Sequence, residues 1–158
     1  MLERALDLAV RYAAAPVQNS DQCCVFARLV LVGLYGESVV NRAPVSAWHL
    51  WDVARPWSPV EAAVQAGITL SATYAPAPPV PRIGALHQVQ GWRGTPGAAG
   101  VTGHTWLWWA TSATHGYQID AAAAPYRMAP GVEVRLRRWA DVIAPYQYGV
   151  AIAALRSV

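Results

Sequence analysis

Two adjacent cysteines, one histidine and one aspartate have the residue types and the chain order needed for nucleophilic catalysis by a thiol. Cys23 and Cys24 begin one apolar segment, His104 begins another, and Asp120 lies near the end of a third. A catalytic cysteine needs a stabilised thiolate, a base that accepts and returns the proton, and a group that orients the base. The sequence therefore predicts a Cys-His-Asp site.

The element that must carry the thiol is a buried helix. Residues Cys23–Tyr35 contain a single charged side chain, Arg28, and Gly36 follows in the position of a C-terminal cap. Ser20 or Asp21 can cap the start of this helix. Both cysteines would then lie in the first turn, where the helix dipole and the unpaired amides favour a thiolate.

The elements that must carry the base and the acid are two consecutive strands. His104–Ala110 and Tyr117–Ala121 are short apolar runs separated by turn residues, a pattern typical of strands. In an antiparallel hairpin, the start of the first strand lies beside the end of the second. This pairing would bring His104 and Asp120 to the same end of the sheet.

The length and composition predict one folded domain. The chain has 158 residues, of which 54% are hydrophobic and 13% charged, a balance that excludes intrinsic disorder. We expect an α+β domain spanning residues 1–158, with a helical part over about 1–67 and a strand part over about 68–158. The predicted helices are one before Pro16, the buried helix, and one from Ser58 to Gly67; the predicted strands are Ile83–Trp92, His104–Ala110, Tyr117–Ala121, Val132–Arg138 and Gly149–Leu155.

Several classes of partner do not fit the sequence. No run of about 18 apolar residues is present, so no membrane span is predicted. The twelve basic residues are all Arg and are scattered except for Arg135, Arg137 and Arg138, so nucleic acid is not an expected partner. Adjacent cysteines rarely bond each other, and the four histidines lack short ligand spacing. We therefore expect a free thiol, no metal and no cofactor.

Four short motifs resemble the papain-like cell-wall hydrolases of the NlpC and CHAP families. Gln22–Ala27, followed by an apolar helix, is similar to their nucleophile helix. Pro81–Leu86 is similar to the Pro-Gly-Asp-Leu motif that begins a strand, and Gly103–Trp108 to their Gly-His-Val strand. Asp120 stands where these families have a third polar catalytic residue. The resemblance covers about residues 18–155 and implies a papain-like α+β fold.

The resemblance also implies an activity and a role for each residue. A cysteine peptidase or amidase would hydrolyse an amide bond in peptidoglycan peptides or another small amide, with Cys23 as nucleophile, His104 as base and Asp120 orienting the ring. The apolar spacing favours Cys23, and Cys24 is the alternative nucleophile. Gln18 would help form the oxyanion hole, as the upstream glutamine of papain-like enzymes does, although its spacing slightly favours Cys24.

Three departures from the family pattern leave the subfamily and the substrate open. The Ser-Gly pair that follows the cysteine in NlpC members is absent, and Ala85 replaces the Asp of the strand motif. The third catalytic residue, often His, Asn or Glu in these families, would be Asp120 here. Among the eight tryptophans, Trp48, Trp51 and Trp92 are the expected substrate-groove residues.

The first residues of the chain bear on where the protein would act. Four charged residues within Met1–Arg11 are unlike an export signal. We expect a cytoplasmic or phage-particle protein, with a phage or secretion-apparatus partner for delivery to the cell envelope. The alternatives are a non-catalytic binding or phage assembly module on the same fold, an acyltransferase using the same thioester chemistry, and a vicinal-dithiol sensor.

Overall fold

The computed structural model describes residues 1–13, 22–40, 67–94, 103–121 and 132–158. The described helices lie mainly in the first quarter of the chain, and the strands follow. The helices are α1 (Leu2–Ala13), α2 (Gln22–Tyr35), α3 (Glu37–Val40) and α4 (Trp139–Ile143). The strands are β1 (Thr69–Ala75), β2 (Leu86–Trp92), β3 (Gly103–Ala110), β4 (His115–Ala121), β5 (Val132–Arg138) and β6 (Gly149–Leu155).

The strands form one antiparallel sheet in the order β1-β6-β2-β3-β4-β5. The predicted α+β class is confirmed, and β2 to β6 correspond to the five predicted strands. Strand β1 was not predicted, because it directly precedes the proline-rich segment that suggested a linker; its backbone pairs with β6. The predicted helix from Ser58 to Gly67 lies outside the described residues, apart from Gly67.

Two other parts of the prediction were wrong, the start of β2 and the absence of a helix after β5. Strand β2 begins at Leu86 rather than Ile83, because Gly84 adopts a left-handed φ of 73° that interrupts an extended strand. Helix α4 lies within the part of the chain that was expected to form strands only. Its first residue, Trp139, directly follows β5 and is buried with Val142 against the sheet.

The two faces of the sheet pack against different partners. Because side chains alternate across a strand, Leu107 and Ile119 point to one face, where they pack with Phe26, Val30 and Leu34 of α2. We call this the helix-covered face. Trp106 and Trp108 point to the opposite face and pack with Trp139 and Val142 of α4, with Tyr146, and with Val89, Val150 and Ile152. We call this the tryptophan face.

Close packing of α1 holds α2 in place. At Gly33 an added Cβ would lie 2.5 Å from Cδ2 of Leu8, so a larger residue would require the Leu8 side chain to move. The interior of α2 is almost entirely apolar, which explains its burial between α1 and the sheet. None of the helices in the described ranges is long and apolar enough to cross a lipid bilayer.

Candidate active site

Cys23 is the second residue of α2, at the end of the helix where the backbone N–H groups have no intrahelical acceptor. Its side chain is partly exposed and forms no disulfide. The predicted position in the first turn of a buried helix is confirmed. The backbone of Cys24 belongs to the same turn, but its side chain lies outside what the structure describes.

His104 and Asp120 lie on neighbouring strands, as the predicted hairpin requires. His104 is the second residue of β3, and Asp120 is the second-to-last residue of β4. The two strands pair antiparallel, with Leu107 opposite Ile119 and Trp108 opposite Gln118. This register, with alternating side chains, places His104 and Asp120 on the tryptophan face at the same end of the hairpin.

The three predicted side chains meet at His104. Nε2 of His104 donates a hydrogen bond of 2.8 Å to Oδ2 of Asp120. His104 also forms a side-chain hydrogen bond with Cys23. Because Nε2 is engaged by the carboxylate, Nδ1 is the ring nitrogen left for the thiol. The imidazole therefore bridges the sulfur and the carboxylate.

The surroundings of His104 favour the charged form of its imidazole. Burial by itself lowers the pKa of the ring, since it disfavours the protonated form. The hydrogen bonds to Asp120 and Cys23 and the negative charges of these two groups outweigh burial, and they raise the pKa of His104 to about 9. The side chains of His104 and Asp120 are only 20% and 13% exposed, so water screens this interaction weakly.

A stack of aromatic rings extends from the imidazole of His104. The ring centroids of His104 and Trp106 are 5.6 Å apart, and those of Trp106 and Tyr146 are 5.3 Å apart, both in stacked orientation. The guanidinium of Arg93 lies 5.6 Å from the ring centroid of Tyr146. Burial raises the pKa of Tyr146, against the opposing effect of Arg93. The stack fixes the plane of the His104 ring.

Tyr146 comes close to the sheet because β2 has a glycine opposite His104. Gly91 is the register partner of His104, and a Cβ at Gly91 would lie 2.3 Å from Cγ of Tyr146. A glycine next to a strand tryptophan gave no sequence signal for this contact. The segment that follows α4 therefore contributes to the site through packing that only the tertiary structure establishes.

Two further polar residues extend the site, Gln118 by contacting the acid and Arg137 by contacting Gln118, and the sequence analysis missed both. Nε2 of Gln118 donates a hydrogen bond of 2.9 Å to Oδ2 of Asp120. Nη1 of Arg137 donates a hydrogen bond of 3.0 Å to Oε1 of Gln118. Gln118 stands two residues before Asp120 on one strand, so it shares its face, and that spacing was the available signal.

The remaining predicted site residues are not part of the described site. Gln18, Trp48 and Trp51 lie outside the described residues. Trp92 is 2% exposed and packs against Ala151 and Ala153 on the helix-covered face, a position that does not favour its predicted role in a substrate groove. Its position at the last residue of β2 directs the ring into the core rather than toward solvent.

Within the described ranges, no group of three or more His, Cys, Asp or Glu side chains is arranged to hold a metal ion. The arrangement that the described residues do form can carry out proton transfer and thiol nucleophilic chemistry.

No protein-family model, curated protein or solved structure matches this chain.

Proposed function

We propose that the protein is a cysteine hydrolase, a peptidase or amidase with a papain-like fold, that cleaves an amide bond through a Cys-His-Asp mechanism. The observation that supports it most is the position of His104 between the Cys23 thiol and the Asp120 carboxylate. A buried histidine with a pKa near 9 beside a cysteine favours a thiolate-imidazolium pair at neutral pH.

The first half of the reaction acylates the enzyme. The Cys23 thiolate attacks the carbonyl carbon, a C–S bond forms, and the carbonyl electron pair moves to oxygen. When the tetrahedral oxyanion collapses, the C–N bond breaks and the imidazolium of His104 gives its proton to the departing amine. The backbone N–H groups at the start of α2 have no acceptor within the helix and are suited to stabilising the oxyanion.

The second half of the reaction regenerates the thiolate. Water attacks the thioester while neutral His104 takes one of its protons, and the C–S bond then breaks to release the carboxylic acid. Asp120 stays ionised throughout and holds the Nε2–H of His104, so the ring presents Nδ1 to the sulfur in both halves.

The proposed substrate class is a peptidoglycan peptide or another small amide. The motif resemblance to NlpC and CHAP hydrolases supports this choice, since the order of Gln22–Ala27, Pro81–Leu86 and Gly103–Trp108 matches the order of the family motifs. Delivery to the cell envelope through a phage particle or a secretion apparatus is part of the same proposal.

Selective labelling of the thiols tests the proposal. Wild type, Cys23→Ser and Cys24→Ser are treated with iodoacetamide at pH 7, and peptide mapping locates the label. In parallel, each protein is incubated with purified peptidoglycan and with its soluble peptides, and released amines are quantified. We expect rapid labelling of Cys23 and loss of hydrolysis in Cys23→Ser, with Cys24→Ser retaining both.

Two outcomes would contradict the proposal. If both cysteines of the folded protein resist iodoacetamide, the protein is a non-catalytic module in which the thiols only pack. If Cys24 carries the label and Cys24→Ser abolishes hydrolysis, the nucleophile has been assigned to the wrong cysteine.

A further inference from the structure

A continuous series of hydrogen bonds leads from the edge strand of the sheet to the proposed catalytic histidine. Arg137 on β5 donates to Gln118 on β4, Gln118 donates to Asp120, and His104 on β3 donates to the same oxygen of Asp120, at 3.0, 2.9 and 2.8 Å. We propose that Gln118 and Arg137 are positioning residues that hold Asp120, and through it His104, in the reactive arrangement. This inference rests on the proposed function.

The register of β4 and β5 explains how the three side chains meet. Gln118 and Asp120 are two residues apart on β4 and therefore point to the same face. Gln118 is directly opposite Arg135, and Arg137 is its diagonal neighbour on β5. A diagonal neighbour lies within reach of a long side chain, and Arg137 uses that reach to contact the amide oxygen.

Arg137 determines which way the amide of Gln118 points. A guanidinium has only donors, so it can bind the Gln118 oxygen but not the NH2 group. With the oxygen engaged, the NH2 group is directed to the Asp120 carboxylate, which only accepts. Without Arg137 the amide could rotate and turn its oxygen toward the carboxylate, where the two acceptors would repel each other.

Burial increases the cost of a wrongly oriented Gln118 amide. Taken as whole residues, Gln118 is 8% exposed and Asp120 is 9% exposed, so water cannot easily replace a lost hydrogen bond. The Oδ2 atom accepts from Gln118 and His104 at once, which fixes one carboxylate rotamer against the histidine ring. A carboxylate free to rotate would spend less time on Nε2, and the ring would be less well aligned with the sulfur.

The neighbouring arginine does not make the same contact and supplies a matched control. Arg135 lies opposite Gln118, yet it forms an ion pair with Glu133 and is 56% exposed. In the part of the chain that the structure describes, Arg137 forms no ion pair with a carboxylate, and its described contact is with Gln118. Replacing either arginine by Met removes the same charge, but only Arg137→Met removes a hydrogen bond of the series that leads to His104.

The test measures the titration of His104 as well as catalysis. Wild type, Gln118→Leu, Arg137→Met, Arg137→Lys and Arg135→Met are compared by NMR titration of the His104 ring and by the pH dependence of kcat and KM on a peptide amide. We expect Gln118→Leu and Arg137→Met to lower kcat by about 10- to 100-fold with KM changed less than about threefold. Arg137→Lys keeps a donor and is expected to recover most of kcat.

The direction of the His104 titration separates positioning from simple charge removal. Removing a positive charge by itself raises the pKa of a nearby histidine. Loosening Asp120 instead lowers the pKa of His104, because the hydrogen bond and the charge that raise it to about 9 are weakened. We therefore expect the His104 titration to move to lower pH in Arg137→Met and Gln118→Leu, and not in Arg135→Met.

The proposal is overturned if Arg137→Met and Arg135→Met behave alike, or if the His104 titration of Arg137→Met and Gln118→Leu does not move to lower pH. Failure of the proposed function gives a different result, since wild type would then neither hydrolyse the amide nor label at Cys23. The NMR titration does not need activity, so it judges the positioning role in that case as well.

Discussion

The two faces of the sheet are formed by the same strands but have different roles. On the helix-covered face, Leu107 and Ile119 are completely buried among apolar residues of α1 and α2. On the tryptophan face, the alternate residues of the same strands include His104, Gln118 and Asp120, which bond to one another. The comparison shows that one face holds α2, and hence Cys23, in place, while the other orients the base.

The tryptophan face shields this polar group with large rings. Trp106 and Trp108 are fully buried, and Trp108 packs on Trp139 with ring centroids 5.0 Å apart. Bulky aromatic packing next to His104 lowers the local dielectric, which strengthens its interaction with Asp120. We therefore expect substitutions on the tryptophan face near His104 to reduce the rate, and substitutions on the helix-covered face to reduce the stability.

The two histidines of the tryptophan face, His87 and His104, give the largest expected contrast. Burial lowers the pKa of His87, and backbone hydrogen bonds at Ala85 and Trp108 oppose it only in part. His104 has the opposite shift because Asp120 and Cys23 are its partners. We expect His104→Gln to lower kcat/KM at least about 10,000-fold, measured with a peptide amide, and His87→Gln to keep near-normal activity per folded molecule. Equal losses would contradict the assigned base.

Asp120→Asn tests how much of the rate depends on the orienting acid. The neutral amide can still contact the ring but no longer stabilises the imidazolium, so we expect kcat to fall by roughly 1,000- to 10,000-fold. The pH profile of kcat tests the direction of the change. Asp120 raises the pKa of His104, so its replacement should move the alkaline limb of the profile from near pH 9 to lower pH. An unchanged alkaline limb would show that another group controls it.

Leu107→Ala examines the helix-covered face. The side chain is fully buried beneath α2, and its truncation should cost about 2–5 kcal/mol in the free energy of unfolding. Denaturant unfolding measures this loss, and the activity of the folded fraction should stay close to wild type. A large loss of kcat without a loss of stability would contradict the division between the two faces.

Gly91→Ala has the smallest expected effect and should lower both the stability of the fold and kcat. The new methyl group would overlap Tyr146 and push it from its place on Trp106, at a cost of about 1–3 kcal/mol and a several-fold loss of kcat. If the contact with Tyr146 is the cause, adding Tyr146→Ala to Gly91→Ala should cost less than the sum of the single changes. Additive losses would place the strain elsewhere.

Part of the site was predictable because the relevant signals are local. The single charge in Cys23–Tyr35 indicated the buried helix, and the short apolar runs His104–Ala110 and Tyr117–Ala121 indicated the strands. A hairpin between successive strands then paired His104 with Asp120. Strand β1 escaped prediction because its support comes from β6, about 80 residues later in the chain.

The sequence by itself determined the residue types, their order, and the elements that carry Cys23, His104 and Asp120. Only the tertiary structure decided that Arg137 orients Gln118, that Tyr146 stacks beside the site, and that Trp92 is a core residue. Periodicity along the chain reports which face a side chain takes within its own element. It does not report which distant element covers that face. The packing of those distant elements determines the burial, hydrogen bonds and charges around His104.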